Sequence, residues 1–337
     1  MPMPMLQLPP DLQRAIEARL ASMPQSRWLA AAQTLSERYR ARRNGGEAPL
    51  AHGEMDVLGY LALLLPATYA QIGGALAMVA ARTGDWSPAT MLDLGSGPGT
   101  ALWAAAATFA GPLSCEAWER EPAFIAVGRE LARSNPALAA TRWRSFDLGD
   151  QDTSETAPRD LVTIAHVLNE LPPAAREAVV QRAWRATAGV LLIVEPGTPE
   201  GFALVRAARD LLLAHGAQTI APCPHNLPCP LAGDWCHFPQ RIARPPFQRI
   251  ARAAPSPWEE SKFAFAALAR FPQPLPFAGR VIREPFANKA YAEAIICRSD
   301  AVAPLRAPKR DLATYRAIAA RTWGEALEDR AATDVKG

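Results

Sequence analysis

At 337 residues the chain is long enough to bury a full core, and 49% hydrophobic residues with a net charge of only +3 exclude a natively disordered class. Met1–Pro10 lacks a basic n-region and a long apolar stretch, and the longest apolar run, Leu58 to Leu65, stops at Pro66; the expectation is a monomeric cytoplasmic protein with no signal or transit peptide and no membrane contact. Charge is uneven, with 14 Lys and Arg against 6 Asp and Glu between 236 and 316, an electrostatic footprint suited to nucleic acid.

From Asp11 to Thr83 the pattern is helical. Leu12, Ile16 and Leu20 recur at helical spacing behind Asp11 as N-cap, and Pro66 suits the first turn of a helix over 67–81. Residues 1–85 therefore read as a helical N-terminal extension.

The chemistry starts at Met91-Leu-Asp-Leu-Gly-Ser-Gly-Pro-Gly99, which runs into an alanine-rich helix. A short apolar strand, a turn with Gly95, Gly97 and Gly99, and a helix N-terminus let backbone approach a ligand closely and offer it free N–H groups. With Asp93 two residues before the first glycine, the turn resembles motif I of S-adenosylmethionine-dependent methyltransferases rather than the G-x-G-x-x-G of dinucleotide sites. Glu119, 20 residues after Gly99, falls where an acid at the end of the next strand would hold ribose hydroxyls.

Apolar runs then alternate with helical stretches, as a doubly wound parallel sheet requires. Strands are predicted at 90–94, 114–119, 141–146, 160–166 and 189–194, with helices at 99–109, 122–133, 173–187 and 201–215. Residues 86–220 form the Rossmann-like core, and Gly95, Glu119, Asp147, His166 and Glu195 should converge beyond the carboxyl ends of its strands. Methyltransferases place an acid near the adenine where Asp147 stands. Neither the Asn/Asp-Pro-Pro-aromatic tetrad of amino-methylating enzymes nor the cysteine nucleophile of cytosine carbon-5 enzymes is present after the fourth and fifth strands. His166 remains as a cofactor-lining residue and a weak candidate for a general base.

Three cysteines, Cys223, Cys229 and Cys236, lie within fourteen proline-rich residues. A loop of that composition needs a staple, and clustered thiols in a reducing compartment are more often metal ligands than disulfides. Cys297, or His225 or His237, could complete the site, and spacing alone leaves zinc and iron–sulfur open. Cys115, in mid-strand, reads as a small buried residue. Next to this insertion (221–255) four arginines, Arg241, Arg244, Arg249 and Arg252, are spaced to clamp RNA phosphates. Strands are expected at 261–269, 280–283 and 291–297, two of them as the antiparallel pair that closes the sheet within 256–300, and 301–337 is expected to form a basic tail.

Asp-x-Gly-x-Gly-x-Gly, His166-x-Leu-Asn-Glu-Leu171, Glu195-Pro-Gly197 and Pro-Cys-Pro-His…Cys-Pro…Trp-Cys-x-Phe together resemble the methyltransferase-like assembly factors of the mitochondrial small ribosomal subunit and their bacterial relatives, from about residue 35 to about 300. The resemblance implies a class I methyltransferase fold with a cysteine-rich insertion and a cofactor site of Asp93, Gly95, Gly97, Gly99, Glu119, Asp147 and His166. It further implies a [4Fe–4S] cluster on Cys223, Cys229, Cys236 and Cys297, and binding of small-subunit ribosomal RNA as methyltransferase or assembly factor.

Overall fold

The computed structural model describes residues 5–43, 51–149 and 156–328; the first four residues and positions 329–337 of the expected tail lie outside them. Four helices open the chain: α1 (Pro10–Ala21), α2 (Gln25–Arg43), α3 (Gly53–Leu63) and α4 (Leu65–Ala80). Leu12, Ile16 and Leu20 form the buried stripe of α1, as their spacing predicts, but Pro9 is the N-cap and Asp11 lies in the first turn. No single helix among the described residues is long and apolar enough to cross a membrane.

The central layer follows as β1 (Thr90–Leu94), α5 (Thr100–Thr108), β2 (Ser114–Glu119), α6 (Pro122–Ala132), β3 (Arg142–Ser145), β4 (Arg159–Ala165), α7 (Pro173–Arg185), β5 (Thr187–Pro196), α8 (Pro199–Ala214) and β6 (Gln218–Ala221). β7 (Phe238–Ala243), α9 (Pro246–Arg252) and the long β8 (Trp258–Ala269) complete it. The order is β3-β2-β1-β4-β5-β8-β6, with β7 also on β8. β1 to β5 pair in parallel, and β8 inserts antiparallel between β5 and β6. That is the class I methyltransferase-like α/β order, with helices in front. The inner strands are buried on both faces, so they read as unbroken apolar runs: Met91, Leu161, Leu192 and Val194 face the core shared with α1, α3 and α4, while Leu92, Leu94, Val162 and Ile193 face the core shared with α7 and α8.

The C-terminal part departs from expectation. β9 (Gly279–Val281), β10 (Phe286–Ala287), β11 (Tyr291–Cys297), β12 (Val302–Pro308) and β13 (Ala326–Leu327) build a separate five-stranded sheet covered by α10 (Leu312–Ala319). It has its own small core of Val281, Ala292, Ala294, Ile296, Ala307, Ile318 and Leu327. Only β8, of the segments expected to close the main sheet, does so. The strands around 280 and 291–297 find partners in 302–308 and 326–327 instead, so these segments of the expected tail belong to a sheet.

Candidate functional site

β1 delivers Asp93 and the glycine turn to the carboxyl edge of the sheet. Gly95, Gly97 and Gly99 have φ of 70°, 53° and 84°, the left-handed region that glycine enters without strain. A side chain on Gly95 would meet Val167 at 2.5 Å, whereas one on Gly97 would enter open space, so the turn is packed beneath and open above. Gly99 caps α5.

Glu119, at the end of β2, is 8% exposed and accepts hydrogen bonds from the Gly97 amide at 2.8 Å and the Glu121 amide at 2.9 Å. Burial raises its pKa, and the backbone donors partly offset that. Asp93 is buried and accepts from Thr163 Oγ1 at 2.6 Å; burial lifts its pKa to about 7, against the pull of that hydroxyl. Asp147, after β3, is half-exposed, 3.7 Å from Arg120, and its Oδ1 accepts from the Gly149 amide.

His166, just beyond β4, takes a φ of 61°, a left-handed conformation for a non-glycine residue that nothing in its sequence announces. Its amide donates to Val194 O, its Nε2 is buried without a partner among the described residues, and burial lowers the ring to about 4, so it is neutral at physiological pH. Glu195, fully buried at the end of β5, accepts the Leu168 amide at 2.8 Å and so pins the loop after β4; burial raises it to about 8. The predicted residues thus all occupy the carboxyl edge, on the ends of β1 to β5 and the turns that follow them.

The cysteines make a second centre. Cys115 is buried in β2 and its thiol is pushed up to about 12 by burial. Cys223, Cys229, Cys236 and Cys297 are free thiols, and Arg280, which stands opposite Cys297 in the sheet, donates to Pro222 O, so the start of the proline-rich loop and the end of β11 are neighbours. Among the described residues no group of three or more His, Cys, Asp or Glu side chains stands in a metal-holding arrangement. His237 is stacked on Trp235 and meets Trp323 edge-on.

Two buried arginines, which sequence reasoning missed, flank these thiols. Arg209 donates to Asp210, His225 O and Leu227 O. Arg280 is 3% exposed and donates to Pro222 O and Gly324 O, each at 2.8 Å. One of its terminal nitrogens is buried without a partner, and no carboxylate among the described residues forms an ion pair with it. It lies over the Phe277 ring at 4.4 Å, and burial lowers its pKa to about 10. A buried guanidinium nitrogen without a partner is costly, and an anion reaching it would relieve that cost. Four thiols ionised by a metal supply one, and the donor set fits such a centre in its chemistry.

The four arginines expected to bind RNA do not act alike. Arg244 and Arg252 both turn onto the half-buried Glu259, at 3.4 and 3.5 Å. Arg241 pairs with Glu260 at 3.2 Å and lies over the Trp258 ring. Arg249 on α9 is exposed, with no ion pair among the described residues.

Residues 54–328 match the family described as mitochondrial small ribosomal subunit Rsm22. Among curated proteins the chain is 30% identical over 301 residues to the Homo sapiens ribosome assembly protein METTL17, mitochondrial, covering 82% of this chain and 64% of that one. It is 27% identical over 222 residues to the Rsm22-cox11 tandem protein 2, mitochondrial, of Schizosaccharomyces pombe, covering 58% and 29%. The chain thus spans less than two thirds of the length of these relatives. Similar solved structures include a magnesium protoporphyrin IX methyltransferase from Synechocystis PCC 6803 (12% identity, 71% of this chain, 94% of that chain, TM-score 0.41) and an O-methyltransferase family protein from Burkholderia thailandensis (16%, 57%, 67%, TM-score 0.42). The cytoplasmic placement expected from Met1–Pro10 does not stand, because the curated relatives are mitochondrial by name.

Proposed function

This chain belongs to the Rsm22 family of the mitochondrial small ribosomal subunit, and from that membership we propose that it is a small-subunit assembly factor that binds S-adenosylmethionine and a metal–thiolate centre and contacts ribosomal RNA. The observation that carries the cofactor reading is the tie between the glycine turn and Glu119, through the Gly97 amide at 2.8 Å. It holds the turn open where the methionine part would lie and keeps a buried acid ready for ribose hydroxyls. Asp147 would stand by the adenine, and Asp93, fixed by Thr163, would hold the turn from beneath. Isothermal titration with S-adenosylmethionine should show binding that Glu119→Ala abolishes; no binding by the wild type, or the same affinity in the variant, overturns the assignment.

The metal reading is a [4Fe–4S] cluster on Cys223, Cys229, Cys236 and Cys297, with zinc as the alternative. Arg280 supports a four-thiolate centre, since it donates to Pro222 O beside Cys223 and its buried Nη2 has no partner among the described residues. When bound, such a centre supplies negative charge to the pocket and cross-links the loop to β11.

Turnover is a second reading, and His166 favours it: a neutral ring with an unpartnered Nε2 at the edge where a methyl acceptor would approach. Transfer of labelled methyl groups to immature small subunits by wild type but not by His166→Ala supports this reading; no transfer by either removes it.

A further inference from the structure

The outer end of the second sheet carries a surface that neither the cofactor site nor the cysteine centre uses. β10 and β11 form a tight hairpin through Asn288, Lys289 and Ala290, and the turn is locked, with Asn288 Oδ1 accepting from the Ala290 and Tyr291 amides at 2.7 and 2.9 Å. α10 braces it from behind, as Tyr315 donates its hydroxyl to Asn288 O at 2.8 Å. On this rigid frame Phe286 is 51% exposed, although a large apolar ring on a two-residue strand has ample chance to turn inward. Its ring lies 5.8 Å from that of Tyr291, and the Arg306 guanidinium covers Tyr291 at 3.5 Å.

The pairing puts these side chains on one face. Residues of β11 alternate, with Ala292, Ala294 and Ile296 inward and Tyr291, Glu293 and Ile295 outward; Phe286 and Arg306 both stand opposite Glu293. At the same end of the sheet Lys289 at the hairpin tip, and Lys309 and Arg310 just after β12, are exposed and form no ion pairs among the described residues, with the Lys309 amide donating to Ala290 O. The acids nearby are spoken for or outnumbered: Glu293 pairs with Arg306, Asp311 caps α10, and Glu284 alone stands exposed at the foot of the hairpin.

A half-exposed aromatic ring on a locked hairpin, at an end of the sheet with four cations against three acids, matches the chemistry of an unpaired nucleobase followed by its phosphates. An aliphatic surface would use the ring alone and an acidic one the cations alone, whereas a single strand of RNA uses both. We propose that Phe286 is a stacking platform for a single-stranded nucleotide of RNA, with Lys289, Lys309 and Arg310 holding the flanking phosphates. This deepens the small-subunit reading and rests on it, because it names the form of RNA that this end of the protein takes.

The whole 337-residue chain and a fluorescently labelled single-stranded oligouridylate, read by anisotropy, test it, with an RNA duplex of the same length as comparison. Wild type should prefer the single strand. Phe286→Ala should weaken that binding by roughly 5- to 150-fold, the worth of one base stack, while Phe286→Tyr restores it. Lys309→Ala should lower the slope of log affinity against log salt by about 0.7. Phe286 touches no core, so unchanged thermal melting of the variant shows that folding is not the cause. Equal affinity of Phe286→Ala and wild type for the single strand overturns the platform, as does a preference for the duplex. If the variant keeps its RNA affinity but co-sediments less with intact small subunits, the patch faces protein and the proposal falls. Failure of wild type to bind either RNA would instead remove the wider reading of this chain as an RNA-contacting factor.

Discussion

At the scale of single residues, the buried acids set how the protein responds to pH. Glu195 keeps its proton in the fold up to about 8, against 4.5 ordinarily, because burial penalises the charge. Its contribution to stability is therefore complete below the unfolded value and is lost as pH rises through the folded one. Glu195→Gln keeps an oxygen for the Leu168 amide and removes the titration. Its thermal stability should gain on that of wild type between pH 5 and 8, by at most about 1.4 kcal/mol per pH unit; parallel curves would show that Glu195 ionises in the fold as freely as in the unfolded chain. Asp93, Glu119 and the three glycines were legible because glycine spacing reports backbone conformation directly. Arg209, Arg280 and the left-handed backbone of His166 were not, since each takes its meaning from neighbours far away in sequence: Arg280 from Pro222 and Gly324, and His166 from Val194.

At the scale of elements, the basic segment shows what a list of arginines conceals. β7 and α9 place Arg244 and Arg252 on Glu259, while Arg249 points to solvent. Arg249→Ala should leave melting unchanged and lower the salt slope of RNA binding by about 0.7–0.9. Arg244→Ala should cost about 1–3 kcal/mol of stability, by leaving a half-buried carboxylate short of a partner and Ser256 O without its donor; if its stability is unchanged and the slope falls instead, Arg244 is a phosphate contact after all. The parallel strands were read to within a few residues because they are apolar on both faces and bounded by helices. β11 was found as a strand but assigned to the wrong sheet, since period-two alternation names a buried face without naming the partner. Its partner β12 contains Pro304 and Pro308 and reads as a tail; an edge strand tolerates both.

At the scale of the molecule, two sheets with separate cores are joined through the cysteine loop, with Arg280 of β9 donating to Pro222 O on one side and Gly324 O on the other. Anaerobically purified protein should carry about four irons per chain. Chelation or Cys297→Ser should strip them and raise amide exchange in residues 222–237 and 279–308, with β1, β4 and β5 unaffected; Cys115→Ser should do neither. Zinc without iron, full metal content in Cys297→Ser, or uniform loosening would contradict this arrangement. The strand order has a consequence for synthesis. β6 has no partner except β8, and β8 also covers the apolar edge of β5 from Val190 to Pro196. While some 70 residues beyond β5 are still being translated, at about 5–20 residues per second, that edge waits for several seconds as an open template for any extended chain. A nascent protein of this design is most in need of a chaperone in that interval, before its eighth strand has left the ribosome.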